Sequence, residues 1–365
     1  MSIPKKNQLI GLDIGSHSIK LVEIDHSKKG RVLKNFGIIG LPPDAIVEGS
    51  IKEIDVVSSA LKNLFENLKI KNRNVSTSIS GYSVIVKKIV LSSREESELE
   101  STIHEEAEQY IPFDINEVNL DFDILPSFEE GAENKSGSDE KQASEQMEVM
   151  LVAAKKDIID DYANLLDSAG LSPGVLDVDA FALQNAFEIS TEDAEPEGAY
   201  AIVNIGAEEL GINVVRNGVS LFTRDSSYGG SQITEAIVSK YKVSFEEAEN
   251  IKLGGSNVDR DKDELEEIFK SVVSDWVQEI KRALDFVAST YPDESIEKVL
   301  VCGGACRIPG FQKYLQLETD IPVTELNPFA NLIANEKHFD ADYLSYMAPQ
   351  AAVAVGLALR SIGDK

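Results

Sequence analysis

Apolar residues recur along the chain in two interleaved periods. Alternating or continuous apolar runs over 8–24, 75–80, 84–91, 147–153, 200–205, 211–223 and 299–302, and around Val175, predict strands. Val57, Leu61, Leu64, Phe65 and Leu68 share one stripe of a helix. The same period predicts helices over 155–168, 180–189, 262–289, 309–317 and 349–361, with Pro309 near a first turn. Another is predicted from Ser93, with Glu96 three residues on as in a capping box, to about Tyr110, where Pro112 stops it. Asn217-Gly218 marks a tight hairpin. Strands and helices interleaved in this way predict a layered α/β protein.

The chain has 365 residues, enough for two domains. Its charge narrows the partners. Against 63 Asp and Glu stand 35 Lys and Arg, a formal net charge of −28. That field repels phosphate backbones and anionic lipid headgroups. No nucleic acid and no direct membrane insertion are therefore expected, although a local basic site can still hold one small anion. More than half of the charge lies between Arg94 and Glu148, where 18 acidic residues meet 3 basic ones. Within it, 127–146 contains no Val, Ile or Leu. Such a segment cannot offset the entropy of ordering and is expected to be a disordered, solvated loop. No apolar stretch approaches the roughly 20 residues that cross a bilayer. The opening MSIPKKNQLIGLDIG does not read as a secretory signal. Cys302 and Cys306 form no disulfide framework or zinc site and read as fillers of a strand and a turn. A reducing, cytoplasmic address fits best.

Three turns carry candidate chemistry. In IGLDIGSHSIKLVEI, two strands flank a turn at Gly15 whose backbone N–H groups make an anion nest. Ser16 and Ser18 add hydroxyls, Lys20 a positive charge, and Asp13 a carboxylate able to hold Mg²⁺ through water. Alone, this is also the pattern of an ordinary hairpin with an exposed Ser. The plan recurs in AIVNIGAEELGINVV, where Asn204-Ile205-Gly206-Ala207 aligns with Asp13-Ile14-Gly15-Ser16 at an offset of 191. Two such units half a chain apart predict a duplicated domain, with opposed nests gripping a polyphosphate across a cleft. In VLVCGGACRIPGF, a buried strand runs into Gly303-Gly304-Ala305, where the backbone can lie flat against a planar or phosphate-bearing ligand. By itself this too is an ordinary strand-to-helix turn.

Together, the nests, the glycine turn and the duplicated plan resemble the actin-like ATPase fold: duplicated RNase H-like halves around a nucleotide cleft. Within it the chain resembles the PilM family, the cytoplasmic actin-like proteins of type IV pilus assembly and relatives of the division protein FtsA. The resemblance extends over 9–360 apart from the acidic loop. Its most specific words are GLDIGSHSIKLVEI, EEAEQYIPFDINEVNLDFDIL, GLSPGVLDVDAFAL, GGSQITEAI, EEAENIK and CGGACRIPGF. It implies ATP and Mg²⁺ as ligands. Gly15, Ser16 and Lys20 would form the first phosphate loop, with Asp13 near the metal, and Gly206 and Ala207 the second. Glu249 and Lys252 would reach the ribose and adenine, and Gly303, Gly304 and Ala305 would floor the adenosine pocket.

The resemblance also implies an FtsA/PilM-type inserted subdomain. The expected division is 1–81 for the first half (1A), 82–174 for the insert (1C), 175–198 back in 1A, 199–345 for the second half (2A/2B) and 346–365 for a C-terminal helix returning to 1A. The insert would bind the tail of a PilN-like inner-membrane protein near Tyr110, Ile111 and Phe113. Through that tail the chain would join a PilO-like protein and the pilus motor ATPases, peripheral to the inner membrane. A homo-oligomer or ring is left open. Where the family carries an Asp, and a Ser/Thr pair, this chain has Asn204, and Glu209 and Leu210. ATP binding with weak or no hydrolysis is expected, because Asn cannot give a metal negative charge. Asp177 or Asp179 could orient a water, but each also reads as a helix N-cap. Two alternatives are an FtsA-like division protein and a metabolite kinase. The first would end in an amphipathic membrane helix, which is not expected here because Gly363-Asp364-Lys365 follows the Ala-rich helix directly. The second needs a catalytic carboxylate facing a substrate pocket, and no such pairing is evident.

Overall fold

The computed structural model describes residues 8–27, 30–126, 146–191, 198–255 and 262–364. Two sheets share one plan. In the first, the antiparallel strands Ile10–Ile14, Ser18–Ser27 and Gly30–Gly40 are followed on the Ile10 side by Asn74–Ile79 and Ser172–Val178, both parallel. In the second, antiparallel Ala199–Ile205, Leu210–Arg216 and Val219–Ser226 are followed by parallel Ile296–Cys302 and Val323–Glu325. The register repeats with the order. Asp13 lies opposite Lys20, and Asn204 opposite Gly211. The offset read from the sequence is therefore a structural equivalence.

Each sheet is covered by helices whose apolar stripes match the 3.6-residue period. Val57, Ala60, Leu61, Leu64 and Phe65 of Ile54–Asn67 are buried in the first core. The long helix Lys262–Thr290 buries Val273, Trp276, Val277, Ile280 and Leu284 in the second. Asn217 and Gly218 take φ of 49° and 75°, the left-handed pair that closes a two-residue hairpin. Where Asp179–Thr191 crosses the C-terminal helix Ala352–Ala358, the two backbones touch. A Cβ at Gly356 would overlap the carbonyl of Ala182. These two helices sit between the sheets, in a cluster that includes Leu183, Phe187, Ile202, Leu300, Val353 and Leu357.

A third sheet holds Val84–Ser92, Gln146–Lys155 and Val118–Ile124, in that order and all antiparallel. Helix Glu96–Ala107 packs on it through Leu99, Ile103 and Ala107. The insert expected over 82–174 makes its own sheet only as far as Lys155. Helix Lys156–Ser168 already buries Tyr162, Leu165 and Leu166 in the first core. The segment expected over 199–345 also rejoins the first half early, since Ile333–Ala334 pairs with Gly30–Gly40.

Several local expectations are corrected. The Ser93–Glu96 capping box does not form. Glu95 precedes the helix without a side-chain cap, and Arg94 instead reaches Thr102 and Glu106, each at 3.1 Å. That helix ends at Ala107 and the chain turns through Tyr110. The helix expected from Pro309 is Phe311–Thr319, because Gly310 takes a left-handed φ of 84° just before it. The expected 349–361 helix is a 3-10 turn, Ala348–Ala351, followed by Ala352–Ala358. The expected loop 127–146 lies outside the described residues except Gln146, which opens a strand.

Candidate functional site

The cleft between the two halves holds a cavity of about 410 Å³, within the range of small-ligand sites. Every residue expected at the nucleotide lines it: Asp13, Gly15, Ser16 and Lys20 from the first turn, Asn204, Gly206 and Ala207 from the second, then Asp179, Glu249, Lys252, Gly303, Gly304 and Ala305.

The two turns are built alike. The Gly15 N–H donates to the Ser18 carbonyl at 3.2 Å, and the Gly206 N–H donates to the Glu209 carbonyl at 2.8 Å. These bonds fold each hairpin end sharply, so the amides just beyond the glycine are the ones that form the nest. Behind the second turn, the Gly303 N–H donates to the Pro349 carbonyl at 2.9 Å and the Ala305 N–H to the Ile205 carbonyl at 3.0 Å. Gly303 has φ 86°, and a Cβ there would strike the Ile205 carbonyl and the Asn204 side chain. Only glycine fits this approach.

Charges in the cleft are unbalanced. Asp13, Glu48, Asp179, Glu208, Glu209, Asp225 and Glu249 line it, against Lys20 and Lys252. Both lysines already have acidic neighbours. Lys20 Nζ is 3.2 Å from Asp13, and Lys252 Nζ is 2.6 Å from Glu249. Lys252 also donates to the Gly230 carbonyl at 3.3 Å and to the Thr234 hydroxyl at 2.9 Å, which fixes the ammonium over the second turn. Thr234 in turn hydrogen-bonds Glu249.

Asp177 and Asp179 do not act as the expected helix caps. Asp177 accepts from the Val178 N–H and lies 3.2 Å from Arg360 Nε, tying the chain's last segment to the first sheet. Asp179 accepts from the Ser78 hydroxyl at 2.5 Å and lines the cleft. Burial, then the nearby Asp13 charge, raises its pKa from the ordinary 3.8 to about 7. A raised carboxyl favours the folded state below its unfolded pKa and stops doing so as pH rises through its folded one. Stability from this group is therefore full below about pH 3.8 and lost as pH rises through about 7. In nucleotide-free, metal-free buffer, Asp179→Asn is expected to melt a few degrees above wild type at pH 8 and to flatten the slope between those values. Superimposable Tm–pH curves would show that Asp179 carries no such proton.

Contacts across the cleft were not legible in the sequence. The Glu48 N–H donates to Glu208 at 2.9 Å, and the Gly81 N–H donates to Asp225 at 2.9 Å. Glu209 is held by Ser80, and burial, then the Asp225 charge, pushes its pKa well up. Burial raises Asp225 as well. The second turn, through Glu209, and strand Val219–Ser226, through Asp225, thus hold the Ser80-Gly81 turn that leads into the inserted sheet. Cys302 and Cys306 are buried and their thiols pushed up by that burial, Cys306 to about 12, which makes them packing groups.

The expected partner residues lie apart from the cleft, on the inserted sheet. Ile111 is 6% exposed and packs with Leu99, Ile103 and Val118 inside the small core, so it cannot line a groove. Tyr110 and Phe113 are half-buried, with Lys87 Nζ 5.3 Å and Lys155 Nζ 4.6 Å from their ring centroids. Beside them runs the edge strand Val118–Ile124, in which exposed Asn119, Asp121 and Asp123 alternate with partly buried Leu120, Phe122 and Ile124. No helix among the described residues is long and apolar enough to cross a membrane.

Two equivalent sheets, each offering a glycine turn to a shared cleft, define an actin-like ATPase fold. The MreB 5 protein of Spiroplasma citri, solved bound to AMPPNP, shares it: TM-score 0.50 and 14% identity, over 97% of this chain and 95% of that one. The chain belongs to the family of the type IV pilus assembly protein PilM, whose profile matches residues 11–362. It is similar to a chain of the PilM-PilN type IV pilus biogenesis complex, with TM-score 0.84 and 29% identity, covering 98% of this chain and 99% of that chain. Among curated proteins, the ethanolamine utilization protein EutJ of Escherichia coli is 29% identical over 153 residues, or 40% of this chain. That match spans 45% of EutJ, less than half its length.

Proposed function

We propose that this protein is a nucleotide-binding adaptor of the type IV pilus inner-membrane platform, with ATP in the cleft and the cytoplasmic tail of a PilN-like membrane protein on the inserted sheet. The observation that carries the reading is the pair of register-equivalent turns facing one cavity, together with likeness over nearly the whole chain to a protein solved with PilN. Through that tail the protein joins a PilO-like partner and the pilus motor ATPases, and sits on the cytoplasmic side of the inner membrane. Val118–Ile124 is an edge strand with no second strand beside it among the described residues, and its alternating apolar residues are what an extended tail needs to add a strand.

The residues fit ATP with Mg²⁺. The Gly303 approach leaves a flat backbone floor, and the amides just beyond Gly15 and Gly206 donate to no backbone carbonyl among the described residues, which leaves them for phosphate oxygens. Among the described residues no three His, Cys or acidic side chains converge on one point. Mg²⁺ would therefore be held mainly by the phosphates, with Asp13 reaching it through water. The metal would supply charge neutralisation to a cleft whose carboxyls outnumber its lysines. Lys20 would move from Asp13 toward the phosphates. Lys20→Ala is expected to weaken binding of an ATP analogue by roughly 1.5–3 kcal/mol, the range for a charge-assisted hydrogen bond. Calorimetric titration of both proteins checks this, and equal affinities would remove Lys20 from the site.

A further inference from the structure

A solvent-exposed aromatic side chain stands at the mouth of the cleft. Tyr346 is 63% exposed, yet lines the cavity beside Gly304, Ala305 and Ile308. It is not loosely placed. The Arg307 guanidinium lies 5.1 Å from its ring centroid. Arg307 is itself clamped, donating to Glu325 through Nε at 2.9 Å and Nη2 at 2.5 Å, and to the Tyr346 carbonyl through Nη1 at 2.5 Å. Arg307 is not part of the cavity wall. Tyr346 thus lines the cavity with a fixed cation against its ring. Gln350 lines the same mouth. Its side-chain oxygen is 3.9 Å from where a Cβ on Gly304 would stand. Its amide has no hydrogen-bond partner among the described residues.

We propose that Tyr346 is the stacking platform for the nucleobase, and that Gln350 reads the edge of that base and selects adenine over guanine. The proposal rests on the cleft being a nucleotide site. An aromatic ring held by a clamped cation is pre-ordered to stack any base, at little entropic cost. A carboxamide offers one donor beside one acceptor. Adenine presents the complementary pair at its N6 and N7, whereas guanine presents two acceptors, O6 and N7, at that edge. The charged residues around the phosphates do not distinguish the two nucleotides. Reading the base edge needs a neutral donor–acceptor pair, and Gln350 lines the cavity with its hydrogen-bonding groups unused among the described residues.

Titrating the full-length protein with fluorescent N-methylanthraniloyl ATP and GTP, in Mg²⁺, tests both roles. Wild type is expected to prefer the ATP probe. Tyr346→Ala should weaken both probes by about tenfold, which is about 1.4 kcal/mol, while Tyr346→Phe keeps the affinity. Gln350→Leu should weaken the ATP probe without weakening the GTP probe, narrowing the preference. Both side chains sit at the cleft mouth, and unchanged melting curves would show that the variants remain folded. Wild-type affinity in Tyr346→Ala, or an unchanged ATP-to-GTP ratio in Gln350→Leu, would overturn the assignment while leaving the nucleotide site standing. Binding of neither probe by the wild type would overturn the nucleotide reading itself, and the base platform with it.

Discussion

Replacing Asn204 with aspartate is expected to raise ATP hydrolysis by on the order of 10²–10³. The repeated register is the reason. In the first half the turn is preceded by Asp13, opposite Lys20; in the second the equivalent positions hold Asn204 and Gly211. At these two positions the first half has a carboxylate and a cation, and the second has neither. Asn204 packs beside Cys302, whose Sγ is 3.8 Å from its side-chain oxygen, and it can align a water but give no charge to a metal. The wild type should therefore bind ATP and turn it over slowly or not at all, since phosphoryl transfer depends on metal charge and an aligned nucleophile. Asp13 and Asp179 both line the same cavity, so the carboxylate missing from the arrangement is the one at Asn204. Without Mg²⁺ and ATP the variant should also melt lower, because it adds an acid to a cleft already crowded with carboxyls. Steady-state phosphate release from the two proteins decides the point. Fast wild-type turnover would contradict the account. No gain in Asn204→Asp would mean that Glu209, tied to Ser80 across the cleft, has also dismantled the hydrolytic site.

The parts of this site that were legible in the sequence are those fixed by local geometry. A glycine turn between two apolar strands folds the same way wherever it occurs. The 191-residue offset between Asp13 and Asn204 therefore survives as a register match. The Gly303 floor was legible for the same reason, since a left-handed φ and a close approach leave room only for glycine. What stayed hidden depends on contacts between distant segments. Ser78 and Asp179 are 101 residues apart, and their hydrogen bond turns a residue read as a helix cap into a cleft carboxyl. Asp225 grips Gly81 over a separation of 144 residues, and no spacing rule reports on that. In the sequence Glu209 marks only the absence of a hydroxyl, whereas in the fold it bridges the halves. In the inserted sheet, the motif around Tyr110 is legible in the sequence but its faces are not. Alternation along 110–113 cannot say that Ile111 points into a core of its own.

That distinction governs the second large effect. Truncating Tyr110 and Phe113 together to alanine is expected to weaken binding of a PilN-like tail peptide by 100-fold or more, roughly 3 kcal/mol, as loss of two aromatic anchors would. Their rings are partly buried at the rim of the small core and rest against Lys87 and Lys155, so their removal costs less packing than loss of a fully enclosed side chain. Ile111→Ala should behave differently. It leaves a cavity among Leu99, Ile103 and Val118 and should destabilise the inserted sheet by about 2–5 kcal/mol. Lowered stability with retained rings separates a structural role from a docking one. The most direct measurement is calorimetric titration of the synthetic tail into the full-length protein and into the Tyr110/Phe113 double variant. An adaptor that docks the tail on the inserted sheet predicts saturable one-to-one binding by the wild type and its loss in the variant, with both proteins melting at similar temperatures. Absence of binding by the wild type, or equal binding by the two, would contradict it.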